Sequence, residues 1–88
     1  MKVCKLVHYW GKVQGVGFRY TAYGLAQQHQ VAGYVKNMLD GQVELVVEGE
    51  ALEVDRYLSR VSGKMADFIE GQKVEDETPQ EFTDFAIR

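Results

Sequence analysis

The sequence predicts an α+β domain in which two helices pack on one face of an antiparallel sheet. Three observations carry that expectation. Strand-like and helix-like hydrophobic patterns alternate along the 88 residues, the stretches between them are short, and Asp40-Gly41 marks a hairpin between two strand-like runs. The order strand, helix, strand, strand, helix, strand is the split βαβ arrangement of a ferredoxin-like sandwich, βαββαβ.

Taken in order, Lys2 to Trp10 is rich in β-formers, although Lys5 interrupts one alternating set and His8 the other. Phe18, Ala22, Leu25, Ala26 and His29 recur at four- and three-residue steps, predicting a helix that Gly33 closes. A short strand is expected from Tyr34 to Met38. Beyond the hairpin, Val43, Leu45 and Val47 alternate with Gln42, Glu44 and Glu48, which predicts a strand buried on one face only. Val54, Tyr57, Leu58 and Val61 form the stripe of a second helix ending near Ser62-Gly63, with Glu53, Asp55, Arg56 and Arg60 on its solvated side. The last third is less regular. Phe68 to Glu77 reads as a strand interrupted near Gly71, "DETPQE" as a loop, and Phe82 to Ile87 as a final strand.

Eighty-eight residues can build one core but not two, so residues 1–88 are expected to form a single domain. Cys4, the only cysteine, has no intrachain partner, and "MKVCKLVHYW" lacks the long apolar run of a signal peptide or membrane span. These features predict a cytoplasmic protein with no membrane association, and no additional apolar face points to anything beyond a monomer. Net charge is −3, which suggests no nucleic-acid partner, but the charges are unevenly spread. Residues 1–39 hold Lys2, Lys5, Lys12, Arg19 and Lys36 and no acid, so all 13 acids lie from Asp40 onward. An anion site would form most easily from the first part of the chain.

The stretch "GKVQGVGFRY", residues 11–20, sharpens that expectation. Three glycines and two cations interrupt the passage from strand to helix, and glycines let backbone N–H groups converge on a ligand. A helix N-terminus beside them favours an anion such as phosphate or sulfate. Familiar phosphate motifs do not fit. Gly17 is followed by Phe18-Arg19 rather than the Lys-Ser or Lys-Thr pair of a Walker loop, and Tyr20 stands where a dinucleotide fingerprint needs its third glycine. Neither central strand candidate carries the basic-aromatic signature of an RNA-recognition motif.

Gly11-Lys12-Val13-Gln14-Gly15-Val16-Gly17-Phe18-Arg19 resembles the first signature of the acylphosphatase family. Gly33-Tyr34-Val35-Lys36-Asn37, with Gly41, Val43 and Gly49 at matching spacing, resembles the second. Tyr9 departs from the aliphatic residue usual in the family, a difference that concerns packing rather than chemistry. The resemblance implies the ferredoxin-like fold and hydrolysis of the carboxyl–phosphate bond of small acyl phosphates without a metal or other cofactor. It also implies that the loop Gln14, Gly15, Val16, Gly17, Phe18 and Arg19 binds phosphate, and that Asn37 orients the attacking water.

The residue types suit those roles. Arginine offers a planar fork of donors and stays protonated, while asparagine offers a donor and an acceptor without titrating. Taken singly, each residue has a plainer explanation: Arg19 as a solvated first-turn residue, Asn37 as an approach to the hairpin, and Gly15 and Gly17 as a tight turn. His8 and His29 are 21 positions apart with no ligand-type residue spaced to join them, so no metal site is expected. His29 reads as a packed helix residue, Cys4 as a small core residue, and Lys12 and Lys36 as charges that steer anions. Two alternatives stay open on the residues alone. One is a non-catalytic phosphate-binding module, in which Asn37 has no chemical duty; the other is an interaction module using the exposed sheet face.

Overall fold

A computed structural model describes all of residues 1–88. The elements are β1 (Lys2–Gly11), α1 (Phe18–Ala26), β2 (Val31–Asn37), β3 (Val43–Glu50), α2 (Ala51–Lys64), β4 (Ile69–Glu77) and β5 (Phe85–Ile87). They form one sheet in the order β4-β1-β3-β2-β5. β1 lies antiparallel to both β3 and β4, and β2 antiparallel to β3. The ferredoxin-like arrangement is therefore present, extended by the short β5, which pairs parallel to β2 through Gly33, Tyr34 and Val35.

The core lies between the helices and one sheet face. Val7 and Tyr9 of β1, Val35 of β2, and Val43, Leu45 and Val47 of β3 point to it in strict alternation, as a pleated strand requires. Phe18, Ala22, Leu25 and Ala26 of α1 and Val54, Tyr57 and Val61 of α2 cover them. Tyr57, fully buried, donates its hydroxyl to Ala22 O at 2.8 Å, so the two helices are joined by a satisfied polar contact as well as by packing.

Several local expectations change. α1 ends at Ala26, and His29 lies in the following turn rather than on the helix. Gly33 is not a helix stop but sits inside β2 at φ +147°, where an added Cβ would lie 1.9 Å from Val46 O. Close approach of the two backbones is what requires glycine there. β3 is buried on both faces, because Val46 and Glu48 are 2% exposed. The segment 78–84 crosses the face away from the helices, where Gln80 N and Phe82 N donate to the Glu48 carboxylate. β4 runs unbroken from Ile69 to Glu77, but the expected irregularity near Gly71 is present as a bulge: pairing passes from Trp10 with Gly71 to Gly11 with Ile69, which leaves Glu70 as the extra residue of β4. The final strand is shorter than expected, Phe85 to Ile87. Glu53 is not simply solvated, since its Oε1 lies 2.8 Å from His29 Nδ1.

Candidate active site

The βαβ crossover decides where a site can form. β1 and β2 each run antiparallel to β3 and so parallel to one another, which brings their C-terminal ends, Gly11 and Asn37, to the same end of the sheet. The glycine loop leaves β1 at that end, and the hairpin 38–42 leaves β2 beside it.

Apolar residues pin the loop from within. Val13 is fully buried, Phe18 is 2% exposed and packs on Tyr9 with ring centroids 4.9 Å apart, and Val16 packs partly against the core. Between these anchors Gly15 and Gly17 adopt φ +78° and +79°. A side chain in that region costs about 1–2 kcal/mol, and an added Cβ at either position would meet nothing, so the requirement is conformational rather than steric. Gly17 is also the N-cap of α1, whose first turn has no side-chain cap and no acidic residue.

As a result, the backbone N–H groups of residues 14–19 have no acceptor within the chain. Such orphan donors at a helix start carry partial positive charge. Four of these residues, Gly15, Gly17, Phe18 and Arg19, border a cavity of about 250 Å³ whose wall also includes Asn37 and contains no acidic residue. Arg19 Nη1 donates to Arg88 O at 3.3 Å, which holds the guanidinium toward the last strand. Asn37 is exposed, and its side-chain amide makes no hydrogen bond to the rest of the chain.

The structure thus brings Arg19, Asn37, Gly15, Gly17 and Phe18 together around one cavity. Gln14 and Val16 are absent from its wall. Val16 turns toward the core, and the Gln14 side chain turns to the hairpin, donating from Nε2 to Met38 O at 2.8 Å and Gln42 O at 2.9 Å. Both side chains are thus committed away from the cavity. Sequence reasoning missed Tyr20 and Ile87, exposed side chains that also line the cavity. Tyr20 directly follows the signature arginine and could have been noticed; the position of Ile87 depends on the β5 pairing.

Other polar groups lie elsewhere. On the face away from the helices, Glu44 receives the Tyr34 hydroxyl at 2.8 Å and contacts His8 Nε2 at 3.0 Å, with Lys36 Nζ 3.6 Å away. Burial acts to raise the Glu44 carboxyl, but the Tyr34 and His8 hydrogen bonds and the Lys36 charge outweigh it and hold it below the usual carboxylate range. Burial and the Glu44 hydrogen bond push the Tyr34 phenol up to about 12. Burial, followed by the charges of Glu48 and Glu77, pushes the Cys4 thiol up to about 11, so it is a protonated structural residue at neutral pH. Neither histidine borders the cavity.

No helix is long and apolar enough to cross a membrane. The acylphosphatase family model matches residues 5–87. Acylphosphatases of Thermotoga petrophila and Thermotoga maritima are each 42% identical over 79 residues, covering 89% of this chain and 88% of theirs. Among solved structures, the crystal structure of acylphosphatase from Bacillus subtilis matches with a TM-score of 0.84 at 28% identity, covering 100% of this chain and 99% of that one. An acylphosphatase from Coxiella burnetii matches with a TM-score of 0.81 at 30% identity, covering 99% and 93%. Likeness of this extent, in sequence and in fold, leaves a single assignment: the chain belongs to the acylphosphatase family.

Proposed function

We propose that the protein hydrolyses the carboxyl–phosphate bond of small acyl phosphates, with the phosphoryl group held by Arg19 and the backbone N–H groups of Gln14 to Arg19, and with water aligned by Asn37. The observation that carries this reading is one acid-free cavity whose wall combines orphan N–H donors, a guanidinium and an otherwise unengaged asparagine amide. Phosphoryl transfer is catalysed mainly by positioning and by stabilising charge on the equatorial oxygens. The loop donors and the Arg19 fork supply that stabilisation. The Asn37 amide accepts from the water and donates to a phosphoryl oxygen, setting the water in line with the phosphorus.

The leaving group explains what the site lacks. An acyl phosphate releases a carboxylate, with a pKa of about 4 to 5 by analogy with acidic side chains, so it departs without a general acid. A phosphomonoester releases a far more basic alkoxide and gains little here. The test is benzoate release from benzoyl phosphate, in the presence of a chelator, by the wild type and by Asn37→Ala. Wild-type turnover that falls about 10²-fold in the variant, with inorganic phosphate still inhibiting both, is the expected result. A wild type that binds phosphate without turning over benzoyl phosphate would reduce the cradle to a binding module.

A further inference from the structure

Gln14 lies within the phosphate loop, yet its side chain serves another segment. The amide has two N–H donors, and both are used, one on Met38 O at 2.8 Å and one on Gln42 O at 2.9 Å. Two carbonyl acceptors fix which end of the amide faces the hairpin, because an oxygen there would meet only other oxygens. The side chain therefore bridges the loop that carries Arg19 to the hairpin that immediately follows Asn37.

The hairpin does not need this bridge in order to close. Met38 N already donates to Gln42 O at 2.8 Å, Gly41 N to Met38 O at 3.2 Å, and Gln42 N to Asp40 Oδ1 at 3.0 Å. What the Gln14 amide adds is a fixed relation between two segments that are 24 and 28 residues apart in sequence. No other side-chain hydrogen bond joins residues 12–19 to residues 37–42. The Asn37 side chain has no tether of its own, so its place over the cradle depends on where its backbone is held.

We infer that Gln14 is a positioning residue for the hydrolytic reaction: its side-chain amide clamps the 38–42 hairpin to the phosphate loop and so sets Asn37 at the distance from the bound phosphoryl group that in-line attack requires. The inference rests on the reading of the site given above. Misplacement of a reacting group by roughly 1 Å costs about 10²-fold in rate, whereas binding of the phosphoryl group by Arg19 and the loop N–H groups is left in place.

The experiment compares Gln14→Met, which keeps the length of the side chain and removes its donors, with the wild type on benzoyl phosphate, measuring kcat, KM and the inhibition constant of inorganic phosphate. The expected result is a fall in kcat of about 10- to 100-fold with the phosphate inhibition constant unchanged within about twofold, the pattern of an interaction realised in the transition state. A merely structural role moves the melting temperature and leaves kcat of the folded fraction alone. Unchanged kcat overturns the clamp, as does an inhibition constant that worsens in step with kcat, which would make the Gln14 side chain itself part of the phosphate cradle. If the Met variant fails to fold, Gln14→Asn, one methylene too short to span the gap, is read by the same criteria. A wild type without turnover, or an Asn37→Ala variant as fast as the wild type, removes the reading of the site and the clamp with it; only the Gln14 results bear on the clamp alone.

Discussion

Two stretches of this chain gather backbone N–H groups, and they dispose of them in opposite ways. In the segment between β4 and β5, the N–H groups of Gln80 and Phe82 donate to the Glu48 carboxylate, which Lys2 Nζ also approaches at 3.3 Å. In the loop 14–19 the N–H groups have no acceptor in the chain. The chemistry is shared: convergent donors and a nearby cation favour an anion. The difference lies in who supplies it. Glu48 is delivered from β3 with its side chain 1% exposed, and the result is a structural tie. The loop is built from the first 39 residues, which contain no acid, so its donors stay open to a ligand. The placement of acids along the chain, more than the number of donors, separates donors left open from donors sealed into a seam of the fold.

The sharpest way to break this comparison is to alter the cation on the open side. Arg19→Lys keeps the charge and loses the planar fork, so if the cradle recognises phosphoryl oxygens by geometry, kcat/KM for benzoyl phosphate should fall about 10²- to 10³-fold. The melting temperature should hardly move, because the Arg19 side chain makes one 3.3 Å contact, to Arg88 O. A lysine variant within tenfold of the wild type would mean that charge alone suffices.

On the closed side the readouts reverse. In Glu48→Gln one of the two backbone N–H groups faces an amide N–H₂ instead of an oxygen, and the Lys2 ion pair is lost. Leaving a fully buried donor unsatisfied costs about 1–3 kcal/mol, and because these two hydrogen bonds are only part-buried the loss should lie toward the lower end, at roughly 4–8 °C per kcal/mol for a domain of this size. Turnover by the folded enzyme should stay within about twofold, since β5 is held independently through Gly33 N to Asp84 O at 2.9 Å and Arg88 N to Val35 O at 2.8 Å.

The pH dependence follows from the same contacts. Burial acts to raise the Glu48 carboxyl, but the Gln80 N–H, Lys2 and the Phe82 N–H together hold it below the ordinary range. The unfolded chain therefore binds the proton more readily. This stabilisation is complete above the ordinary carboxylate pKa and is lost as pH falls through the lower folded value. Urea unfolding across that acid range should show a shallower pH slope in Glu48→Gln than in the wild type; equal slopes would locate the acid sensitivity elsewhere.

The two regions also differ in how far the sequence reveals them. The open cradle is legible because its parts are local: glycines, Arg19 and a helix start lie within ten residues, and Asn37 follows from a second motif of similar compactness. The closed seam is not legible. Val46 and Glu48 occupy the positions of a strand with one wet face yet are buried, and for Glu48 the partners come from residues 80 and 82, far along the chain. Gly33 shows the same limit. A glycine after a helical pattern reads as a stop, whereas its cause is the Val46 carbonyl on the neighbouring strand. His29 continued the apolar spacing of α1 although the helix had already ended, because Glu53 and Arg60 of α2 hold it in place from outside. The Gln14 bridge is hidden for the same reason, since its acceptors are carbonyls that any residue could supply.

The smallest expected effect concerns a polar group that belongs to neither class. The Tyr9 hydroxyl is buried among core residues and has no hydrogen-bond partner. Burial pushes its phenol well above the ordinary range, and Ser62 offsets this only in part, its Oγ being committed to Gln72 Oε1 at 3.1 Å. Unlike the cradle N–H groups, this hydroxyl opens onto no cavity, so its unmet capacity serves no ligand and acts only as a cost. Tyr9→Phe keeps the ring against Phe18 and removes the orphan, and should raise stability by about 1 kcal/mol with activity unchanged. A loss of stability instead would mean that the hydroxyl is satisfied in solution, through Ser62 or a buried water. Tyr9 would then belong with Glu48 among the groups whose partners come from within the fold.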